Sequence, residues 1–218
     1  MKDMENSSEE NDDTELLYQR IRTQERGKEL LPLAEAEISR ICGELNAAQS
    51  IETVAKAIYR RTIRNNVIHN RSIADIAPSA VFIACRVEND LRPLGKVVEV
   101  SYSSERDITR THADLSRELK INTEPVNPKD YIHRFCTELN LSEEEELKAK
   151  EMLDTYIDEE MHVGKSPSSV AAASIYAAAL LYARETTQRE VASVAGVSDT
   201  TIGKRYQELI VVCAEAEK

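Results

Sequence analysis

The sequence predicts an all-α fold built from two tandem copies of one five-helix domain, and three observations support this prediction. Apolar residues recur at steps of three and four, as at Ile51, Val54, Ala55 and Ile58, which is the spacing of a buried helix face. No stretch keeps the period-two alternation of a strand. A long internal repeat divides the chain into two halves of similar pattern.

The internal repeat has an offset of 94 residues. The segment "ISRICGELN" (38–46) matches "IHRFCTELN" (132–140) at six of nine positions. Over residues 31–115, 18 of 85 pairs are identical, against about one in sixteen expected by chance. A unit of this length is a small domain. We therefore expect a disordered acidic tail (1–18), a linker (19–30) and domains at 31–122 and 125–214, with "NTEPVNP" (122–128) as the join.

Helix-start signals divide each copy into about five helices. In the second copy they stand at Pro128, Ser142, Ser166, Thr187 and Ser198. We expect the Ser166 side chain to cap the first amides of its helix, and Pro167 to take the first helical position. The stretch "VAAASIYAAALLYA" (170–183) belongs to this helix, the central one of the second copy. It is apolar nearly all round, so other helices should surround it. It is too short to span a bilayer.

Charge is distributed unevenly along the chain, whose net charge is −11. Residues 1–30 carry −4, residues 31–123 carry +1 and residues 124–218 carry −8. Such an acidic chain is not expected to bind nucleic acid non-specifically, and a phosphate-facing surface is best sought in the middle third. The four cysteines lie in apolar helical contexts without a C-x-x-C pair, and no apolar leader is visible. We expect a soluble cytoplasmic protein with buried thiols.

The segment "QREVASVAGVSDTTIGKRY" (188–206) has the spacing of a helix-turn-helix. Ala192 falls where the two helices must approach closely, and Gly196 falls at the turn, where a positive φ is needed. Val197 and Ile202 would close the small core between the helices, and Ser198 would cap the second helix. The local pattern alone leaves two interpretations open, a DNA-reading motif and a plain helical hairpin with a glycine turn.

The first copy has a weaker version of this segment, "LGKVVEVSYSSERDITRTHADL" (94–115), in which Tyr102 replaces the turn glycine. Ser104 would cap its second helix. Arg106 and Arg110 lie one turn apart on that helix, and Arg110 aligns with Lys204 of the second copy. Matching basic positions favour a shared role in binding DNA, although exposed helix charges that only contact solvent fit each residue singly.

A second basic cluster comprises Arg60, Arg61, Arg64 and Arg71. The aligned residues of the second copy are Asp154, Thr155, Asp158 and Lys165, so three of the four bases are lost there. The difference indicates different partners for the two copies, with a phosphate backbone or an acidic protein surface fitting the first. A solvated charged face is the alternative.

Catalytic signatures are missing from the sequence. The four histidines are scattered without metal-ligand spacing, and neither a P-loop nor a G-x-S-x-G motif is present. We therefore expect no enzymatic activity, no cofactor and no metal.

Several motifs in combination resemble one family. The segments "GKSPSSVAAASIYAAAL", "RSIADIAPSAVFIACR", "IYRRTIR" and "PVNPKDYIHRFCTELNLSEE", together with the helix-turn-helix, are similar to the core of archaeal transcription initiation factor B, the relative of eukaryotic factor IIB. The resemblance covers about residues 19–214. It implies two cyclin-like repeats and binding to TATA-box-binding protein on promoter DNA. It also implies that the last helix reads an element upstream of the TATA box.

The resemblance implies roles for the residues that align with the family's DNA-contacting positions. Thr200, Thr201, Lys204 and Arg205 would read DNA, and Ser198 and Lys165 would lie near phosphates. Gly203 stands where the family typically has a base-contacting arginine, and Pro78 stands inside the first copy's central helix, where it removes an amide donor and would kink the helix. The family's zinc ribbon, which docks on RNA polymerase, is replaced by the acidic tail. We therefore expect a ribbon-less paralogue with a specialised or regulatory role, in which that polymerase contact is not predicted.

Two other functions fit the same sequence. A cyclin-like module can bind protein partners without DNA, which would suit the acidic second copy. A stand-alone helix-turn-helix regulator would bind an operator without TATA-binding protein.

Overall fold

A computed structural model describes residues 29–65, 67, 71–123 and 125–216 of the chain. These residues form helices and connecting turns without any strand, so the prediction of an all-α fold is confirmed. The acidic tail expected at 1–18 lies outside the described residues, as does the expected linker up to residue 28.

Ten helices are present in these ranges. They are α1 (29–44), α2 (Gln49–Arg64), α3 (Ile73–Val87), α4 (Leu94–Glu99), α5 (Glu105–Glu118), α6 (Lys129–Glu138), α7 (Glu143–Asp158), α8 (Pro167–Leu181), α9 (Gln188–Ala195) and α10 (Asp199–Ala216).

The helices are divided between two compact units. The first comprises the described residues up to Asp90 together with Val100–Thr123, and the second comprises Leu91–Glu99 together with the described residues from Pro125 onward. Helix α4, which belongs by sequence to the first copy, is therefore grouped with the second unit.

The predicted helix starts of the second copy are confirmed. Helices α6 to α9 have Pro128, Ser142, Ser166 and Thr187 as their N-caps, and α10 begins directly after Ser198. The Ser142 hydroxyl accepts the Glu145 amide at 3.2 Å, and the Glu145 carboxylate accepts the Ser142 amide at 2.7 Å, which forms a capping box.

The expected side-chain cap at Ser166 is wrong. The Ser166 hydroxyl lies 3.0 Å from the Ser168 hydroxyl, and no cap hydrogen bond forms. The Ser169 amide is instead accepted by the backbone carbonyl of Ser166 at 3.0 Å. A neighbouring hydroxyl therefore takes the bond that would otherwise cap the helix, while Pro167 holds the first helical position as predicted.

Helix α8 forms the centre of the second unit. It contacts α6, α7, α9 and α10, and residues from Ser168 to Ala179 are buried on nearly every side, so the prediction of a surrounded helix is confirmed. Its alanines allow the neighbouring backbones to approach closely. Among the helices of the described ranges, none has both the length and the apolar character that a membrane crossing requires.

Helix α3 has the central position in the first unit and contacts α2 and α5. It runs from Ile73 to Val87 without interruption at the buried Pro78. The Ser79 hydroxyl donates to the Asp75 carbonyl at 2.7 Å and lies 3.1 Å from the Ile108 carbonyl. This hydroxyl links α3 to α5 directly beside the proline.

The sequence repeat recurs in the geometry. Asn46 and Asn140, which are 94 positions apart, both follow a helix with a positive φ, at 50° and 53°. Ion pairs also recur at the same offset. They are Arg40–Glu44 with Arg134–Glu138, and Glu52–Lys56 with Glu146–Lys150. The two copies therefore share helix ends and surface pairs as well as core positions.

A contact between two glycines fixes α4 within the second unit. A Cβ atom built on Gly95 would lie 1.7 Å from the carbonyl oxygen of Gly196. Gly196 has φ 61°, in the left-handed region that favours glycine. Because the obstructing atom is backbone, no side-chain movement can make room for a substituent at Gly95.

We expect Gly95→Ala to lower the free energy of unfolding of the second unit by about 1–3 kcal/mol, because the methyl group must displace backbone. Gly43→Ala is the matched control, since Gly43 is helical and has no atom within 4 Å of its Cβ position. That control should be neutral or stabilise by up to about 1 kcal/mol. Urea unfolding of both variants measures the difference, and equal midpoints would contradict the close contact.

Candidate nucleic-acid interface

Helices α9 and α10 form the helix-turn-helix predicted from the sequence. Thr187 and Glu190 form a capping box that starts α9, with the Glu190 amide 3.2 Å from the Thr187 hydroxyl and the Thr187 amide 2.7 Å from the Glu190 carboxylate. Ala192 and Ile202 are buried between the helices. Both residues therefore have the packing roles that their spacing predicted.

The turn between the helices also follows the prediction. Gly196 ends α9 in the left-handed conformation, and the Val197 amide donates to the Ala192 carbonyl at 3.0 Å. Ser198 caps α10, since its hydroxyl accepts the Thr201 amide at 3.1 Å. The turn thus sets the direction in which α10 leaves α9.

The predicted reading residues of α10 fall into two groups. Thr200 and Lys204 are exposed, and Lys204 has no ion pair with any described residue. Thr201 is half-buried, and its hydroxyl lies 2.8 Å from that of Ser198. Arg205 is also half-buried, and one guanidinium nitrogen, Nη1, donates to both carboxylate oxygens of Glu208 at 2.9 and 2.8 Å. Thr200 and Lys204 are thus the exposed members of this predicted set, and the Thr200 hydroxyl donates to the Asp199 carboxylate at 3.4 Å.

Glu208 is the centre of a polar network that also holds Lys165. The Lys165 ammonium donates to Glu208 at 2.7 Å and to the Tyr156 hydroxyl at 2.6 Å, and that hydroxyl donates to Glu208 at 3.0 Å. The structure thus places Lys165, which was expected near phosphates, in an intramolecular pair between the start of α8 and α10. One carboxylate partly neutralises both cations.

The network favours the ionised form of Glu208. Partial burial opposes ionisation, but hydrogen bonds from Lys165, Arg205 and Tyr156 outweigh it and lower the pKa of the Glu208 carboxyl to about 2. Because this pKa lies below the ordinary value of 4.5, ionised Glu208 stabilises the folded unit at neutral pH. That contribution is lost as the pH falls from about 4.5 toward 2.

The first unit contains the same ion pair at the repeat offset. Arg71, which aligns with Lys165, pairs with Asp114, which aligns with Glu208. In both copies the base precedes the central helix and the acid lies on the last helix. Arg71, expected to bind a partner, is thus placed in a pair that joins α3 to α5.

Arg60 also belongs to a duplicated pair, but with the charges exchanged. It pairs with Glu35 at 2.7 Å, and the aligned pair in the second unit is Asp154 with Lys129 at 2.5 Å. The loss of a base at position 154 therefore accompanies the gain of a base at position 129. Of the predicted partner-binding cluster, Arg61 and Arg64 remain exposed on α2 without a pairing to another described residue.

Helix α5 carries the predicted basic positions of the first copy. Ser104 caps it by accepting the Asp107 amide at 3.2 Å. Arg106 and Arg110 are exposed one turn apart on a shallow surface beside Thr109 and Ala113, and neither pairs with an acid in the described ranges. Tyr102, at the position of the turn glycine, stacks on Arg40, whose guanidinium carbon lies 4.6 Å from the ring centre.

The cysteines are structural. All four lie in the described residues, none forms a disulfide, and only Cys213 is more than slightly exposed. Burial raises the pKa of the Cys136 thiol to about 12. No cluster of three or more His, Cys, Asp or Glu side chains in the described part of the chain is arranged to hold a metal ion.

Three residues on or beside α10 were not identified from the sequence. Glu208 and Tyr156 are members of the network, and Gln188 lies beside Gly203, with its Oε1 atom 3.1 Å from the place of a Cβ at that glycine. The repeat offset could have identified Glu208, because Arg71 and Asp114 align with Lys165 and Glu208. No local signal connects Gln188 with Gly203, which is 15 positions away.

Comparison with known proteins decides the family. The profile described as "Transcription factor TFIIB repeat" matches residues 28–118 and 121–211, one match for each copy. The chain belongs to the TFIIB family. The fold is accordingly two cyclin-like repeats, as the sequence predicted.

Curated relatives support the same assignment. "Transcription initiation factor IIB 7" of Halobacterium salinarum is 45% identical over 192 residues, which is 88% of this chain and 59% of that protein. "Transcription initiation factor IIB 3" of the same organism is 43% identical over 88% of this chain and 61% of that protein. "Transcription initiation factor IIB" of Methanothrix thermoacetophila is 41% identical over 87% and 56%. The chain thus spans about three fifths of the length of these relatives.

We expect Arg60→Asp to lower the free energy of unfolding of the first unit, because the change removes the ion pair with Glu35. The loss should be only about 0.5 kcal/mol, since the Arg60 side chain is half exposed. Adding Glu35→Lys restores the pair in the reversed sense already present in the second unit. A double-mutant cycle in urea should therefore return a favourable coupling energy. Additive losses in the double variant would show that the contact contributes nothing.

Proposed function

We propose that this chain is a transcription initiation factor that binds TATA-binding protein seated on promoter DNA and places α10 in the major groove upstream of the TATA box. The observation that carries the proposal is the helix-turn-helix of α9 and α10, with Thr200 and Lys204 exposed on α10, in a chain of the TFIIB family. Side chains at the start of the second helix of such a motif reach base edges.

The charge of the chain favours a complex that depends on the partner protein. Phosphate contacts supply most non-specific affinity, and a protein of net charge −11 has little of that attraction to offer. Glu208 reduces it further by engaging Lys165 and Arg205. The affinity of this protein for DNA alone should therefore be weak, and contacts with a bound TATA-binding protein would supply the rest of the binding free energy. This reasoning disfavours a stand-alone operator-binding regulator.

The first unit would contribute phosphate and partner contacts. Arg106 and Arg110 are exposed beside the cap of α5, where Ser104 begins the helix, and fit the phosphate backbone. Arg61 and Arg64 are exposed near the end of α2 and fit an acidic surface of the partner protein. Arg60 and Arg71 contribute to the fold, because each is engaged by a carboxylate of its own unit.

Gly203 gives the proposed factor its specialised character. A bidentate arginine–guanine contact contributes about 1–3 kcal/mol of discrimination, and a glycine at this position cannot make one. We therefore propose that the protein serves promoters whose upstream element differs from the one that an arginine at this position would select.

The proposal is tested by an electrophoretic mobility shift assay with TATA-binding protein and promoter DNA, at the salt concentration of the source cell. A ternary complex that is absent without TATA-binding protein supports it. Specific binding by the protein alone would favour the stand-alone regulator instead. Failure to bind DNA, with capture of a protein partner that survives nuclease treatment, would favour an interaction module.

We expect Lys204→Ala to weaken the ternary complex about threefold on all DNA sequences and to lower the salt slope by about one, since this exposed cation would contact a phosphate. Lys129→Ala, on α6 outside the helix-turn-helix, removes the same charge and should leave the slope unchanged. Binding titrations at several salt concentrations give both values. An unchanged slope for Lys204→Ala would exclude its phosphate contact.

We expect Glu208→Gln to strengthen the ternary complex and to raise the salt slope by up to about two, because the change frees the charges of Lys165 and Arg205. Glu151→Gln removes one negative charge from α7 and is the control. The same salt series measures both variants. A weaker complex from a folded Glu208→Gln protein would mean that Glu208 positions these residues for DNA binding.

A further inference from the structure

Gln188 lies directly over the gap left by the missing side chain of Gly203. Its Oε1 atom is 3.1 Å, and its Cδ and Nε2 atoms are each 3.6 Å, from the place where a Cβ of residue 203 would stand. Gln188 is the first residue of α9, whose start is capped by Thr187 and Glu190 without help from this side chain. Its amide makes no hydrogen bond with any residue that the structure describes.

An amide with both groups unpaired beside the recognition helix has a specific chemistry. Gln can donate to N7 and accept from N6 of adenine at the same time in the major groove, whereas no other base edge there offers that pair. Gly203 is half-buried on α10, beside the exposed Lys204, and its missing side chain leaves the space that the Gln188 amide borders, through which a base edge could approach. The donor and acceptor are thus delivered from α9 to the position that a residue-203 side chain would otherwise occupy.

We propose that Gln188 is a specificity-determining residue that selects adenine at the base pair facing Gly203. The inference rests on the proposed function, because it requires α10 to lie in the groove. Gln188 would supply base discrimination at residue 203, where α10 itself has no side chain. The glycine and the glutamine act together, since a longer side chain at 203 would displace the amide.

The test uses the full chain with TATA-binding protein and a panel of promoter duplexes that carry each of the four bases at successive upstream positions. Wild-type protein should prefer adenine at one position by about tenfold. Gln188→Ala should reduce this preference to within about twofold, while binding to the disfavoured duplexes is retained. Gln188→Glu should shift the preference toward cytosine, whose amino group a carboxylate accepts. Gln207→Ala, an exposed amide one turn further along α10, is the control and should keep the adenine preference.

Gly203→Arg provides an independent variant. Its Cβ meets only the flexible end of Gln188, which can move aside, so the fold should tolerate it. Guanine should then replace adenine at the same position, because arginine reads that base.

The outcomes separate the two proposals. A ternary complex in which Gln188→Ala keeps the wild-type base preference overturns the role of Gln188 and leaves the proposed function intact. Absence of any ternary complex with wild-type protein overturns the proposed function, and the role of Gln188 with it.

Discussion

The burial of one helix within a ring of others is the constraint on which each repeat depends. In the second unit, eleven of the fifteen residues of α8 are buried, and most of them are alanine or serine. Small side chains let four helices approach this one, so each neighbour has a defined inner face. For α10 that face contains Ile202, Leu209 and Val212. Thr200 and Lys204 therefore lie on the opposite side, and the candidate reading surface is a consequence of how the core packs.

Charged residues around this core serve two different purposes. Several of them form pairs that recur between the repeats, and one of these pairs, Arg60 with Glu35, recurs with its charges exchanged as Asp154 with Lys129. An exchange of this kind shows that the contact, rather than either residue, is what the fold uses. Exposed pairs contribute only a little stability individually, and each also engages a cation that would otherwise be available to a ligand. Five exposed cations have no ion pair with a described residue and are available to a ligand: Arg61, Arg64, Arg106, Arg110 and Lys204.

The sequence predicted features that depend on local chemistry. Helix starts at Ser142 and Thr187, the turn at Gly196 and the buried Ala192 follow from capping, backbone conformation and spacing within about ten residues. Features that depend on distant parts of the chain were missed. Examples are the grouping of α4 with the second unit, which follows from the contact of Gly95 with Gly196, and the hold of Glu208 on Lys165, 43 positions apart. Only the repeat offset carries information at that range.

Placement of α10 on DNA next to TATA-binding protein is the central claim, and hydroxyl-radical footprinting of the promoter tests it most directly. With TATA-binding protein alone, protection should be confined to the TATA box. Addition of this protein should extend the protection upstream by about one helical turn of DNA. A footprint identical to that of TATA-binding protein alone, under conditions where this protein is bound in the complex, would contradict the account.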